Sequence, residues 1–244
     1  MARLAESHGL FGVLAGAGDP RTAITAAVYA STATDFVRIV VSVRLGLEHP
    51  VTIAEELAVL DNVNNGRTVV LADTGELVAD DAADEVAVIR EALGNRPIRH
   101  EGPRWKVPAG LPANAGAPQA IAVTPKPAQL EVPLWITGAA AADVARQASL
   151  PRLARDPAGV LAERPVQPAI ARLSGALDDD RATVTSWAGA GATHLLLELP
   201  GGAAQDDAMT MVSRHLAPEV AMPHFPRVMS DSRVPLPWPG DRRG

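Results

Sequence analysis

The chain has 244 residues, of which 47% are hydrophobic, 20% charged and 3% aromatic, with 20 Gly, 21 Pro and no Cys; this suits one core-forming α/β domain and excludes a disordered chain. Without cysteine there is no disulfide scaffold, no thiolate metal site and no thiol nucleophile, so any chemistry falls to His, acids, hydroxyls, Arg or a bound cofactor. The formal charge of −6, from 28 acids against 22 bases, offers no basic stripe for nucleic acid or an anionic membrane, and no apolar run reaches the roughly 18 residues of a membrane span, so a cytoplasmic location is expected.

Leu4, Leu10 and Phe11, with Glu6, Ser7 and His8 between them, predict the end of a helix that passes through Gly9 into a short buried strand, Leu10 to Ala15. After the loop at 16–20, the Ala-rich stretch Thr22 to Thr34 has helical spacing. Phe36 to Val43 is β-branched and almost continuously apolar, the pattern of a strand buried on both faces. His49-Pro50 breaks the chain. Val51 to Leu60 predicts a helix with Glu55 and Glu56 on its wet side, and Asn64-Asn65-Gly66 ends it in a left-handed turn. Thr68 to Ala72 reads as the next strand and Asp80 to Leu93 as the next helix, with Val86, Val88, Ile89 and Leu93 forming its apolar stripe. This alternation predicts a parallel sheet.

From Gly94 to Val132 the periodicity breaks down into a Pro- and Gly-containing excursion with one possible short strand, Ala120 to Thr124. Pro133 to Gly138 resumes as a buried strand, followed by a helix at Ala140 to Ser149. Leu150 to Ala154 and Val166 to Leu173 carry weaker strand patterns. Asp180 to Ala190 reads as a helix, His194 to Leu199 as a strand and Gln205 to Leu216 as the last helix. A Pro-rich tail begins at Pro218, so the expected organisation is one domain at 1–217 and a tail at 218–244.

Repeated strand–helix units fit either a closed barrel or an open doubly wound sheet. No G-x-G-x-x-G follows a strand, no P-loop signature is present and no G-x-S-x-G elbow supports a serine hydrolase. His100, His194, His215 and His224 are scattered without metal-ligand spacing, so no metal is expected.

The stretch HPVTIAEELAVLDNVNNGR at His49 to Arg67 resembles the signature of the bacterial-luciferase-like flavin and deazaflavin oxidoreductases, in which a His-Pro, an Ala-Glu-Glu helix and a Leu-Asp lead to a Gly-Gly-Arg turn. Three further stretches agree in order: GPRWKVPAGL at Gly102 to Leu111, TPKPAQLEVPLWITGAAAADVA at Thr124 to Ala145, and GATHLLLELPG at Gly191 to Gly201. The resemblance covers about Leu4 to Leu216. It implies a TIM-type (β/α)8 barrel with FMN or an 8-hydroxy-5-deazaflavin across the C-terminal ends of the strands. Leu10 to Ala15 would then be the second strand, and the first is unaccounted for, so the barrel is expected to be incomplete at its N-terminus. Its edge would be bare unless Ala120 to Thr124 or the tail closed it.

The same resemblance nominates site residues. Ser42-Val43 falls where the family brings backbone against the flavin ring, or is simply a buried strand end. Asp73-Thr74-Gly75 falls at a turn that contacts the cofactor, although Asp73 stands without the phosphate-binding Arg of relatives and would repel a phosphate. Thr137-Gly138-Ala139 opens the next helix and could receive an anion, or Gly138 could merely permit the turn. The loop after the Leu10 to Ala15 strand, where relatives carry a catalytic acid or His, offers only Asp19, a candidate acid–base group that also suits helix capping.

Two functional readings follow. One is a flavin- or deazaflavin-dependent oxidoreductase or monooxygenase acting on a small organic molecule. The other is a degenerate barrel that serves as a non-catalytic subunit or flavin-binding partner, without a cofactor if fully degenerate. Either could form a homodimer or heterodimer through the small-residue helix face at Thr22 to Ala33.

Overall fold

A computed structural model describes residues 1–16, 18–109, 119–160, 165–199 and 202–218. In chain order its elements are α1 (Ala2–Ser7), β1 (Gly12–Ala15), α2 (Ala23–Thr32), β2 (Arg38–Arg44), α3 (Pro50–Val63), β3 (Thr68–Asp73), α4 (Ala79–Leu93), β4 (His100–Glu101), β5 (Lys106–Val107), β6 (Leu134–Thr137), α5 (Ala141–Gln147), β7 (Pro168–Arg172), α6 (Leu177–Gly189), β8 (His194–Glu198) and α7 (Ala204–Met211).

The β-branched runs behave as their composition predicts. β2 and β3 form the centre of a parallel sheet ordered β1-β2-β3-β6, with Ile39 opposite Thr68 and Ala72 opposite Ile136. β7 and β8 form a second parallel pair. Residues 152–154 join the two, because Arg152 bridges Ile136 and Ala154 bridges Ala169, both in parallel. The result is one row of parallel strands in chain order, with helices returning the chain between them.

Side chains alternate across each strand, and the two faces bury different things. Outward-facing Ile39, Val41, Val43, Val70, Ala72, Leu134 and Ile136 pack against α2, α3, α4 and α5. Inward-facing Val40, Val69, Leu71, Trp135 and Leu153 gather with Leu14, Ile170 and Leu196 into a separate cluster. Strands from both ends of the row can share one inner cluster only if the row curls on itself, as in a barrel. Consistent with this, the His194 ring at the start of β8 lies 5.0 Å from Phe11, just before β1, and 5.3 Å from Trp135. On the outside, α1 meets α7 through His8 Nε2 and Asp206 Oδ1, 2.7 Å apart. Among the described residues no ladder joins β8 to β1, and both strands are half-exposed along most of their length.

Two sequence expectations need correction. Ala120 to Thr124 is not a strand of the row: Ile121 makes one antiparallel bridge to Ile98, and Val123 is buried in the outer, helix-side cluster. The excursion instead contains the β4–β5 hairpin. Leu150 to Ala154 contributes two bridges rather than a full strand. The tail at 219–244 lies outside the described residues.

Polar locks set the ends of the central elements. Asn65 and Gly66 take the left-handed turn after α3. That turn delivers Arg67 into the interior, where its guanidinium donates to the carbonyls of Ser31, Thr34, Val37 and Asn64 and to Thr34 Oγ1. A buried Arg is tolerated because its donors are filled. Asp61 likewise accepts from the Thr68 and Gln129 amides and from the Gln129 side chain, pinning the end of the excursion to the start of β3.

Candidate functional site at the C-terminal ends of the strands

The alternation that buries Val40, Leu71 and Trp135 inside the row sends the next inward positions to its C-terminal rim. These are Arg44 on β2, Asp73 on β3, Thr137 on β6, Arg155 after the 152–154 bridges, Arg172 on β7 and Glu198 on β8. Apolar Leu71, Trp135, Leu153, Ile170 and Leu196 lie below them. A mouth with a polar rim over an apolar floor follows from register alone, and this is the end at which barrels carry ligands.

The rim is laced by charge. Arg44 Nη1 lies 3.6 Å from Asp73 Oδ2, and Arg172 Nε donates to Glu198 Oε2 at 2.8 Å. Arg155 Nη2 reaches Thr137 Oγ1 at 3.5 Å. Among the described residues Arg155 has no carboxylate at ion-pair distance, which leaves it the rim cation best placed for an anionic ligand.

The nominated residues divide into those that face the mouth and those that build it. Ser42 is half-buried and inward-facing, whereas the Val43 side chain is turned to the helices. Asp73 Oδ1 accepts from the Gly75 amide and its other oxygen faces Arg44, so the Arg missing from its own turn is supplied by β2. Thr74 is fully buried, and its hydroxyl accepts from the Ala140 amide, tying the turn after β3 to the start of α5. Gly138 has φ +106, and a Cβ there would sit 2.3 Å from Thr74 Oγ1 and 2.6 Å from Asp73 Oδ1. Glycine is therefore required by the close approach of two loops. Thr137 is buried and inward-facing, while Ala139 is exposed at the turn.

Asp19 takes the capping role: Oδ1 accepts from the Arg21 amide at the start of a single helical turn, Pro20–Thr22. His49 caps α3, its Nδ1 accepting from the Val51 amide, and its ring meets Trp105 edge-on at 4.5 Å. No group of three metal-binding side chains occurs among the described residues, and no helix of the described residues is long and apolar enough to cross a membrane.

Arg155, Arg172 and Glu198 were not among the sequence candidates. Their signal was present: each immediately follows, or ends, a stretch with strand character at the parity of an inward residue. Choosing that parity required knowing which face of the row is the inside.

The residues present fit the phosphorylated ring system expected of the resemblance. Thr137 and Arg155 supply an acceptor–donor pair and a positive charge for a phosphate, and the floor supplies apolar area for a ring.

Comparison with known proteins bears on the family and the fold. The model of the luciferase-like monooxygenase family matches residues 1–151. The coenzyme F420-dependent tetrahydromethanopterin reductase of Methanopyrus kandleri superposes with a TM-score of 0.65 at 13% identity, over 90% of this chain and 94% of that one. The EDTA monooxygenase of Chelativorans sp. BNC1 gives 0.51 at 14% identity, over 89% and 59%. The oxygenating constituent of 3,6-diketocamphane monooxygenase from Pseudomonas putida, solved with FMN, gives 0.47 at 16% identity, over 80% and 57%. The chain thus spans under two thirds of the length of these two monooxygenases. No curated protein sequence matches the chain.

Proposed function

The chain belongs to the luciferase-like monooxygenase family, and from that premise we propose that it is an oxidoreductase that binds FMN or an 8-hydroxy-5-deazaflavin across the rim of the strands and acts on a small organic molecule. The observation that carries the reading is the rim itself, with Arg155 beside Thr137 above an apolar floor. When bound, the cofactor supplies the redox chemistry.

The chain's own residues do the rest. Arg155 and Thr137 hold the phosphate. Ser42 and the backbone at Val43 would line the ring of a bound cofactor. Arg44 neutralises Asp73, which removes the repulsion that Asp73 alone would exert on an anion. The apolar floor excludes water from beneath the reacting ring. The dependence of the Methanopyrus reductase on coenzyme F420 supports the deazaflavin as one candidate; a floor of aliphatic side chains and one Trp suits either ring.

One observation favours a second reading, a barrel that binds a flavin without turnover or serves as the non-catalytic subunit of a heterodimer. The only acid in the loop after β1 is engaged in capping, so no described side chain there is poised for proton transfer.

Titration of the purified protein with FMN and separately with the deazaflavin, followed by fluorescence quenching, tests both readings. Low-micromolar binding of one names the cofactor, and oxidation of the reduced form with a substrate panel then separates enzyme from binder. Failure of both to bind at any concentration below a millimolar overturns the cofactor reading.

A further inference from the structure

Glu85, in the middle of α4, is fully buried yet is not part of the apolar stripe the sequence suggests there. One carboxylate oxygen accepts from the Gly46 amide in the β2–α3 loop at 2.8 Å. Gly46 lies two residues after the rim Arg44. The other oxygen points to the hairpin turn, where Arg104 Nε lies 3.7 Å away. It has no hydrogen-bond partner, and neither does the buried indole nitrogen of Trp105. The turn itself is fastened one residue away, since Asp84 accepts from the Arg104 and Trp105 amides and from His100. Trp105 in turn leans on His49, the cap of α3.

We propose that Glu85 is a positioning residue for the rim: its carboxylate draws the β2–α3 loop and the Arg104–Trp105 turn together, and on taking a proton from solvent it keeps Gly46 but releases Trp105. The chemistry is that of donors and acceptors. An ionised carboxylate can accept from Gly46 on one oxygen and attract the indole N–H and guanidinium on the other. A protonated one places an O–H donor against those same donors. Burial pushes the Glu85 carboxyl above the usual range, the Gly46 amide, Trp105 and Arg104 draw it back, and Asp81 pushes it up again. The charged and titratable groups facing it are Asp81 on its own helix, Arg104 on the hairpin turn and, across the Trp105 ring, His49. The consequence for cofactor affinity rests on the function proposed above; the movement of Trp105 does not.

The test uses the full chain without cofactor. Trp105 emission is followed from pH 4 to pH 8 in a His49→Asn parent, which keeps a cap on α3 but has no imidazole against the indole, and is taken as the difference between that parent and its Trp105→Phe variant. The expected result is one transition with a midpoint above the ordinary carboxylate range. In Glu85→Gln the emission is flat and fixed at the low-pH level, because the amide nitrogen of Gln also presents donors to Trp105. Asp81→Asn moves the midpoint down. A flat parent overturns the proposal, as does a transition that survives in Glu85→Gln. If that variant does not fold, the Gly46 amide resonance of the parent decides: it must titrate with the Trp105 midpoint, and a different midpoint overturns the idea. With FMN or the deazaflavin present, affinity should follow the same transition in the parent and lose it in the variant. Absence of binding at every pH would count against the cofactor reading while leaving the emission result standing.

Discussion

The row of strands has two unlike halves. In the first, β3 is buried along nearly its whole length and β2 through its centre, flanked by α3 and α4 and locked at their ends by Arg67 and Asp61. In the second, two bridges stand where a strand would be, β8 is half-exposed and α5 has a single short span. Yet the rim draws Arg155, Arg172 and Glu198 from that second half. The more deeply buried strands thus lie in one half, while Arg155, the rim cation without a carboxylate at ion-pair distance among the described residues, comes from the other. A rigid first half can hold a register while the second varies what the mouth recognises.

The largest test of this contrast is Arg67→Ala. It would leave the buried carbonyls of Ser31, Thr34 and Val37 without their donor, and loss of such a buried, charge-assisted network costs about 3–5 kcal/mol. Urea denaturation should show the midpoint collapse; a change below about 1 kcal/mol would mean that the first half does not depend on this lock.

A matched pair sharpens the comparison. Leu71 and Leu196 face the same inner cluster, but Leu71 is 4% exposed and Leu196 is half-buried. Truncation to Ala should cost about 3 kcal/mol at Leu71 and about 1 kcal/mol at Leu196, because the cavity and transfer terms both scale with what was enclosed. Equal losses would show β8 to be as well packed in solution as β3.

Acid should attack the second half first. Burial, helped by the nearby Arg38 charge, lowers the His194 pKa from 6.5 to about 4. The folded state therefore prefers the neutral ring. Its stabilising contribution is complete above about pH 6.5 and is lost progressively as the pH falls toward 4, by roughly 2–3 kcal/mol. Urea midpoints measured across that window should fall for the parent and fall less for His194→Gln; parallel curves would remove His194 as the cause.

How far the sequence revealed this depends on the range of the interactions. β2 and β3 were legible because their β-branched runs are local, and the end of α3 was legible because Asn65-Gly66 specifies its own turn. The β4–β5 hairpin was not, since each strand has two residues and its anchor, Asp84, lies on a helix some twenty residues earlier. Thr74 looked like a ligand group because its neighbours resemble one; its engagement with Ala140 depends on two loops meeting across the sheet. The rim cations were hidden for a related reason. Local pattern marks a strand but not which of its faces will be enclosed.

Arg155→Ala gives the smallest effect on folding and the most selective one on binding. The side chain is exposed and its one described hydrogen bond, to Thr137, is long, so unfolding should shift by no more than about 0.5 kcal/mol. A charge-assisted contact to a phosphate is worth more, and its loss should weaken FMN or deazaflavin binding about tenfold, or about 1.4 kcal/mol. Riboflavin, which has the ring but no phosphate, should bind parent and variant alike. If riboflavin loses as much as FMN, Arg155 shapes the floor rather than holding the anion, and the rim would have to be reassigned to Arg44 or Arg172. If neither loses, the second half supplies no ligand charge, and the division between a rigid half and a recognising half fails at the point where it makes its most specific claim.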